Sequence, residues 1–227
     1  MSASTDIRKG KGGINMGIPV LILGESGSGK STSLRNFSPE EIGVINVSGK
    51  PLPFRTKINS INTDNYTVIE GALKKARIKS LVIDDCQYLM ANEFMRSAKI
   101  TGYQKFTDIA LNFWTLIQVI IKELPADVIV YFLGHVERDA NGNEKFKTIG
   151  KMLDEKITVE GLFTIVLKTL VQDGRYLFTT QTNGSDTVKS PMGMFSTPII
   201  DNDLKMVDQT IRNYYRLNKG EQANETI

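Results

Sequence analysis

The chain has 227 residues, 41% of them hydrophobic and 23% charged, with a net charge of +3. That length buries a full core as one large domain, and so slight a positive charge does not by itself call for a nucleic-acid partner. The single cysteine, Cys86, excludes an internal disulfide framework, no apolar run reaches the ~20 residues of a membrane span, and no signal-peptide segment opens the chain, so the expectation is a cytoplasmic protein with no membrane partner.

Ser, Gly and Lys dominate Met1–Asn15, which reads as a flexible arm because it has too little apolar surface to order itself. The apolar run Pro19–Leu23 reads as a buried strand. It leads into Gly24-Glu25-Ser26-Gly27-Ser28-Gly29-Lys30-Ser31, which satisfies the G-x-x-x-x-G-K-[ST] phosphate-loop pattern at every fixed position. Gly24, Gly27 and Gly29 let the backbone wrap so that successive N–H groups point at a polyphosphate. The loop is expected to open a helix near Lys30, running over Thr32–Phe37, whose free amides and positive dipole end would face the same anion. Lys30 is the charge for the β- and γ-phosphates, and the Ser31 hydroxyl is a ligand for Mg2+. The nucleotide-binding set is therefore Gly24 through Ser31 with the adjoining Thr32, and the cofactors are ATP and Mg2+.

Ile42–Val47 reads as a second buried strand, ended by Gly49 and the prolines Pro51 and Pro53. Asn62–Asn65 carries helix-capping side chains ahead of an amphipathic run, Tyr66–Arg77, with Val68, Ile69, Ala72, Leu73 and Ala76 on one face. Strand alternating with helix predicts an α/β fold with a mainly parallel sheet. In Ser80-Leu81-Val82-Ile83-Asp84-Asp85 the apolar run ends in acids, which sets them at the C-terminal edge of a buried strand, where parallel sheets place their ligand crevice. Beside a phosphate loop this is the Walker B pattern: Asp84 would hold the Mg2+ hydration shell and Asp85 would orient or polarise the attacking water. Cys86 reads as packing. Gln87–Ser97 and Lys105–Leu124 read as helices, the second carrying Ile109, Phe113, Leu116, Ile117, Ile120, Ile121 and Leu124 at helical spacing and closed by Pro125.

Asp127–Leu133 reads as a fourth strand, tipped by Gly134-His135-Val136-Glu137-Arg138. His135, the only histidine, would sense the γ-phosphate if that strand lies beside the first; otherwise it is a capped loop residue. Asn141-Gly142 is a hairpin turn signal, and the basic residues around it make Lys145, Lys147 and Lys151 candidate contacts for single-stranded DNA. From Glu137 to Lys156 five acids balance five bases, so a solvated loop is an equal alternative. Leu162–Val171 and Arg175–Thr180 flank Asp173-Gly174 as a β-hairpin, expected as a C-terminal extension to the central sheet. A second turn, Asn183-Gly184, leads to Lys189, a competing candidate for DNA or for a neighbouring subunit's phosphates. Leu204–Leu217 reads as a helix before a polar tail, so the expected domain is residues 16–217, between the arm (1–15) and the tail (218–227).

Loop, acid-tipped third strand and polar-tipped fourth strand together resemble the RecA-type P-loop ATPases, a three-layer fold whose fourth strand lies between the first and third. The tip Gly134–Arg138 is similar to the RecA-like sensor, a Gln or His followed by an apolar residue and later a base. Val82–Met90, Gly102–Thr107, Lys147–Asp154 and Lys189–Phe195 resemble more closely the phage-encoded RecA-like ATPases grouped with the Sak recombinases, over about Pro19 to Tyr215. The resemblance implies an ATPase, catalysed through Lys30, Asp85 and His135, acting in recombination or single-strand annealing beside a single-strand-binding protein, in the host cytoplasm and as a homo-oligomer. Two departures stand out: the glutamate base that follows the second strand in that family is replaced by Val47-Ser48-Gly49, and no polymerisation motif precedes the loop. An assembly or packaging factor with little turnover and a small-molecule kinase are the alternatives; only Arg96 between the third and fourth strands could serve a kinase lid.

Overall fold

In the computed structural model, which describes residues 16–217, the apolar runs become strands with both faces covered. Along β1 (Ile18–Gly24), Val20 and Ile22 face one core and Leu21 and Leu23 the other, and all four are fully buried. The same alternation runs through β2 (Ile42–Asn46), β4 (Ser80–Asp84), β5 (Ile129–Arg138) and β7 (Ile165–Gln172). Continuous apolar strands of this kind require helices on both sides. On one side lie α1 (Tyr66–Lys75), α2 (Gln87–Arg96) and α3 (Gln104–Glu123); on the other lies α4 (Leu204–Tyr215). Among the described residues no helix is long and apolar enough to cross a membrane.

With β3 (Asn59–Asn62), β6 (Glu144–Phe146), β8 (Arg175–Thr179) and β9 (Ile199–Asp201), the strands form one open, mixed, nine-stranded sheet in the order β3-β2-β4-β5-β1-β7-β8-β9, with β6 off this path and paired to β5. From β3 to β7 every neighbour is parallel; β7-β8, β8-β9 and β5-β6 are antiparallel. The expected α/β class, the largely parallel sheet and the insertion of β5 between β4 and β1 are all present. The Asp173-Gly174 hairpin is present too, but it is no appendage. Its first strand, β7, pairs directly with β1, so the hairpin continues the main sheet.

Four expectations change. The helix after the loop is a single 3₁₀ turn, Ser31–Leu34, because Phe37 is drawn into the core and Pro39 disfavours helical backbone at Ser38. Strand β5 does not end at Leu133 but continues through Arg138, so Gly134–Arg138 is strand rather than loop. Strand β3 went unpredicted because Asn-Ser-Ile-Asn has no apolar alternation; it is exposed throughout and closes the sheet edge. Val68, expected on the buried face of α1, is exposed, while Ile69 and Leu73 are buried; the Asn65 cap is present, its Oδ1 accepting from the Val68 N–H at 3.1 Å. The proposed arm (1–15) and tail (218–227) lie outside the described residues.

Helix α4 is fixed to the sheet by a buried polar network. Asp208 accepts from Ser80 Oγ at 2.8 Å, Tyr131 OH at 2.9 Å and Arg212 Nε at 2.7 Å. Each buried group thereby finds a partner, which is what makes such burial tolerable.

Candidate phosphate-binding site

Parallel pairing gathers the C-terminal ends of β1, β5, β4 and β2 at one edge. The register sets Gly24 opposite His135 and Asn46 opposite Asp84. The segments that leave these strands enclose a cleft of about 240 Å3, lined by Ser26, Gly27, Gly29, Lys30, Ser31, Thr32, Lys50, Asp85, Tyr88 and His135. This is the crevice position of open α/β sheets.

The loop needs its glycines for two separate reasons. Gly29 takes a φ of +96°, which a side chain would strain. A Cβ on Gly24 would instead collide with the Thr169 hydroxyl of the neighbouring β7. That hydroxyl lies 2.6 Å from Ser28 Oγ and donates to the Leu23 carbonyl at 3.2 Å, so β7 holds the loop in its wrapped form. Lys30 is buried at 6% exposure, and its Nζ donates to the carbonyls of Gly24 at 2.9 Å and Glu25 at 2.7 Å. Burial lowers the pKa of the ammonium from its usual value, with the charges of Asp85 and Asp84 opposing that shift. The adjoining 3₁₀ turn is too short to add much of a helix dipole, so an anion bound here would rely on the loop amides and Lys30.

Ser31 Oγ donates to Asp84 Oδ1 at 2.8 Å, and Asp84 is itself 5% exposed. Burial raises the Asp84 carboxyl to about 6; Asp85 adds to the rise, while the Ser31 hydrogen bond and Lys30 oppose it. A divalent cation beside it would favour the ionised form. One hydroxyl and one carboxylate suit Mg2+, which keeps several waters and takes substrate phosphates rather than an all-protein cage. The described residues contain no group of three His, Cys, Asp or Glu placed to hold a metal, which is compatible with so sparse a protein share.

Asp85 turns the chain from β4 into α2 with a left-handed φ of 58°. Its Oδ1 lies 3.5 Å from His135 Nε2 and its Oδ2 3.6 Å from Lys50 Nζ. Burial alone would raise this carboxyl, but hydrogen bonding from His135 and Ser48 and the charge of Lys50 outweigh it and hold it at about 2. His135 is fixed in turn: its N–H donates to Gln87 Oε1 at 3.3 Å and its ring stands edge-on to Tyr88.

The fold therefore brings Gly24 through Thr32, Asp84, Asp85 and His135 to one crevice. It does not bring the candidate DNA lysines there. Lys145 lies opposite Glu137 across the β5–β6 hairpin, 3.7 Å from its carboxylate. Lys147 comes just after the end of β6, Lys151 precedes a widened helical turn at Met152–Ile157, and Lys189 pairs its backbone with Val166. Of the four, only Lys145 lies within a strand. The hairpin's charges are largely matched, with Arg138 reaching Glu144 at 3.0 Å and Glu25 at 3.5 Å.

Sequence reasoning missed Lys50, Tyr88, Gln87 and Thr169. Lys50 meets Asp85 because β2 and β4 are parallel neighbours, which brings the turn leaving Asn46 to the turn leaving Asp84. Asn46 then clamps its own turn, accepting from the Gly49 N–H at 2.9 Å and donating to the Lys50 carbonyl at 2.6 Å. Thr169 had no local signal, because it meets the loop only through the pairing of β7 with β1.

Fold and site together define an open, mostly parallel α/β protein with a phosphate-loop turn at the end of its central strand, consistent with a P-loop-type fold. No family model matches the chain, and no curated protein matches it in sequence.

Proposed function

We propose that the protein binds ATP with Mg2+ in this cleft and hydrolyses it slowly, as a RecA-like ATPase of phage recombination or single-strand annealing. The observation that carries the reading is the junction of Ser31 and Asp84 at 2.8 Å beside the buried ammonium of Lys30. The loop amides and Lys30 bind and orient the polyphosphate, Lys30 exchanging its loop carbonyls for phosphate oxygens. Ser31 and Asp84 hold Mg2+, which when bound draws charge from the β- and γ-phosphates. Asp85 orients the water, and His135, whose backbone is in register with Gly24, reports the γ-phosphate along β5. The insertion of β5 between β4 and β1 supports the RecA-like assignment, as do the stretches that resemble the Sak group.

One observation favours the neighbouring reading of an ATP-binding assembly factor with little turnover. Both Asp85 oxygens already face cations or donors, His135 on one side and Lys50 on the other. A carboxylate so engaged is a poor base, which agrees with slow hydrolysis unless a partner rearranges it. The kinase reading loses its one lid arginine, because Arg96 is committed to Asp64 at 2.6 Å.

The test is Lys30→Ala with a fluorescent ATP analogue. Loss of one charged contact should weaken binding by about 1.5–3 kcal/mol, and a cooperative thermal transition checks that the variant, which also loses two loop hydrogen bonds, stays folded. An unchanged affinity would exclude this cleft as the nucleotide site.

A further inference from the structure

Between Glu41 and Asp64 the chain carries Lys50, Arg55 and Lys57 and not one acid. In the fold this segment lies between β2 and the edge strand β3, and with β3 it lines a groove of about 700 Å3. The groove adjoins the phosphate-loop cleft: Lys50 lines both, and Pro53 of the same loop lines the cleft. Its loop is anchored from beneath, because Phe54 and Ile58 pack against the core while Arg55 and Lys57 are exposed. Among the described residues neither Arg55 nor Lys57 has an ion-pair or hydrogen-bond partner. On the far wall β3 offers the exposed neutral polar side chains of Ser60 and Asn62.

We infer that this groove binds the phosphate backbone of single-stranded nucleic acid. Three cations along an anchored loop, with neutral hydrogen-bonding groups opposite, match a chain of phosphates and sugars. Leu52, Phe54 and Ile58, each partly buried, also line the groove, so an acidic peptide is the competing occupant, and competition with polyglutamate tests it. The cations line a recess rather than a flat face, which suits one strand. The contrast with the β5–β6 hairpin is electrostatic: Lys145 and Arg138 face carboxylates there, whereas Arg55 and Lys57 are exposed and, of the loop's cations, only Lys50 meets a carboxylate, that of Asp85. Lys50 gives the groove a physical link to the nucleotide cleft, since a backbone phosphate that drew its ammonium away would loosen its contact with Asp85. That coupling rests on the ATP-binding reading; the groove itself does not.

The experiment measures binding of a labelled oligothymidylate by fluorescence anisotropy across a potassium chloride series. Arg55→Ala with Lys57→Ala should shrink the salt slope by about 1.4, at ~0.7 per phosphate contact on single strands. Both side chains are exposed and unpartnered, so the double variant should fold as the wild type does. Lys145→Ala with Lys147→Ala and Lys151→Ala is the matched comparison and should leave the slope nearly unchanged. A slope retained in the loop variant, or lost instead in the hairpin variant, overturns the inference. So does an absence of wild-type binding at low salt, or displacement by polyglutamate as effective per charge as by unlabelled oligothymidylate. Fluorescent ATP-analogue binding on the same preparations separates the two readings. Analogue binding without a loop-dependent slope leaves the nucleotide site and removes the groove, and the reverse pattern removes the nucleotide site and leaves the groove.

Discussion

Ser31 and Asp84 are 53 residues apart in the chain, on segments that leave β1 and β4, strands with β5 between them, yet the Ser31 hydroxyl donates to the Asp84 carboxylate at 2.8 Å. A hydroxyl and an acid held this closely act as one unit toward a cation. Ser31→Ala and Asp84→Asn should each weaken Mg2+-dependent binding of an ATP analogue by about 1.5–3 kcal/mol. The double variant should lose less than the sum, because both side chains serve the same ion. Strict additivity in titrations with and without Mg2+ would show that they do not share one.

Asp85→Asn should keep nucleotide binding and lose turnover by a factor on the order of a hundred, if Asp85 positions the water. Single-turnover hydrolysis measures this directly. Unchanged turnover would move the base to a partner subunit, because Glu93, the acid farther along α2, faces α3 and accepts from Asn112 at 2.7 Å.

His135 touches both the cleft and the β5–β6 hairpin. Its carbonyl accepts from the Lys147 N–H at 2.9 Å, and its ring faces Asp85. His135→Ala should bind the ATP analogue normally and lose any ATP-dependent change in oligonucleotide affinity. A variant that responds to ATP as the wild type does would leave His135 a structural residue of β5.

Stability should fall in acid through a site away from the cleft. Lys168 lies 2.8 Å from Glu144 and 2.7 Å from Asp186, and the Asp186 side chain is only 3% exposed. The Lys168 hydrogen bond holds the Glu144 carboxyl below its ordinary value. Glu144 therefore contributes stability that is present above its unfolded value and lost as pH falls through the folded one. Lys168→Met should cost about 3–5 kcal/mol at neutral pH, because it leaves Asp186 buried and unpaired. Urea unfolding should also show part of the acid dependence removed in the variant; an acid limb as steep as the wild type's would place its origin elsewhere.

The sequence by itself determined what is local. A phosphate loop is one continuous turn, so Gly24 through Ser31 could be read from residue types at fixed spacing, and Asp84 from an apolar run that ends in an acid. Strand and helix types came from periodicity, because burial on one or both faces repeats along each element. The tertiary structure decided what depends on pairing between distant segments. Strand order brought Lys50 beside Asp85 and set Thr169 against the loop, although neither residue carries any mark of it in its own neighbourhood. The same dependence sets the surroundings of Lys145, because hairpin register put Glu137 across from it. It also explains β3, whose polar residues form a strand only because the edge of β2 offers hydrogen bonds to pair with. Side-chain chemistry is written along the chain, whereas the field and the contacts each group meets depend on which strands lie next to one another.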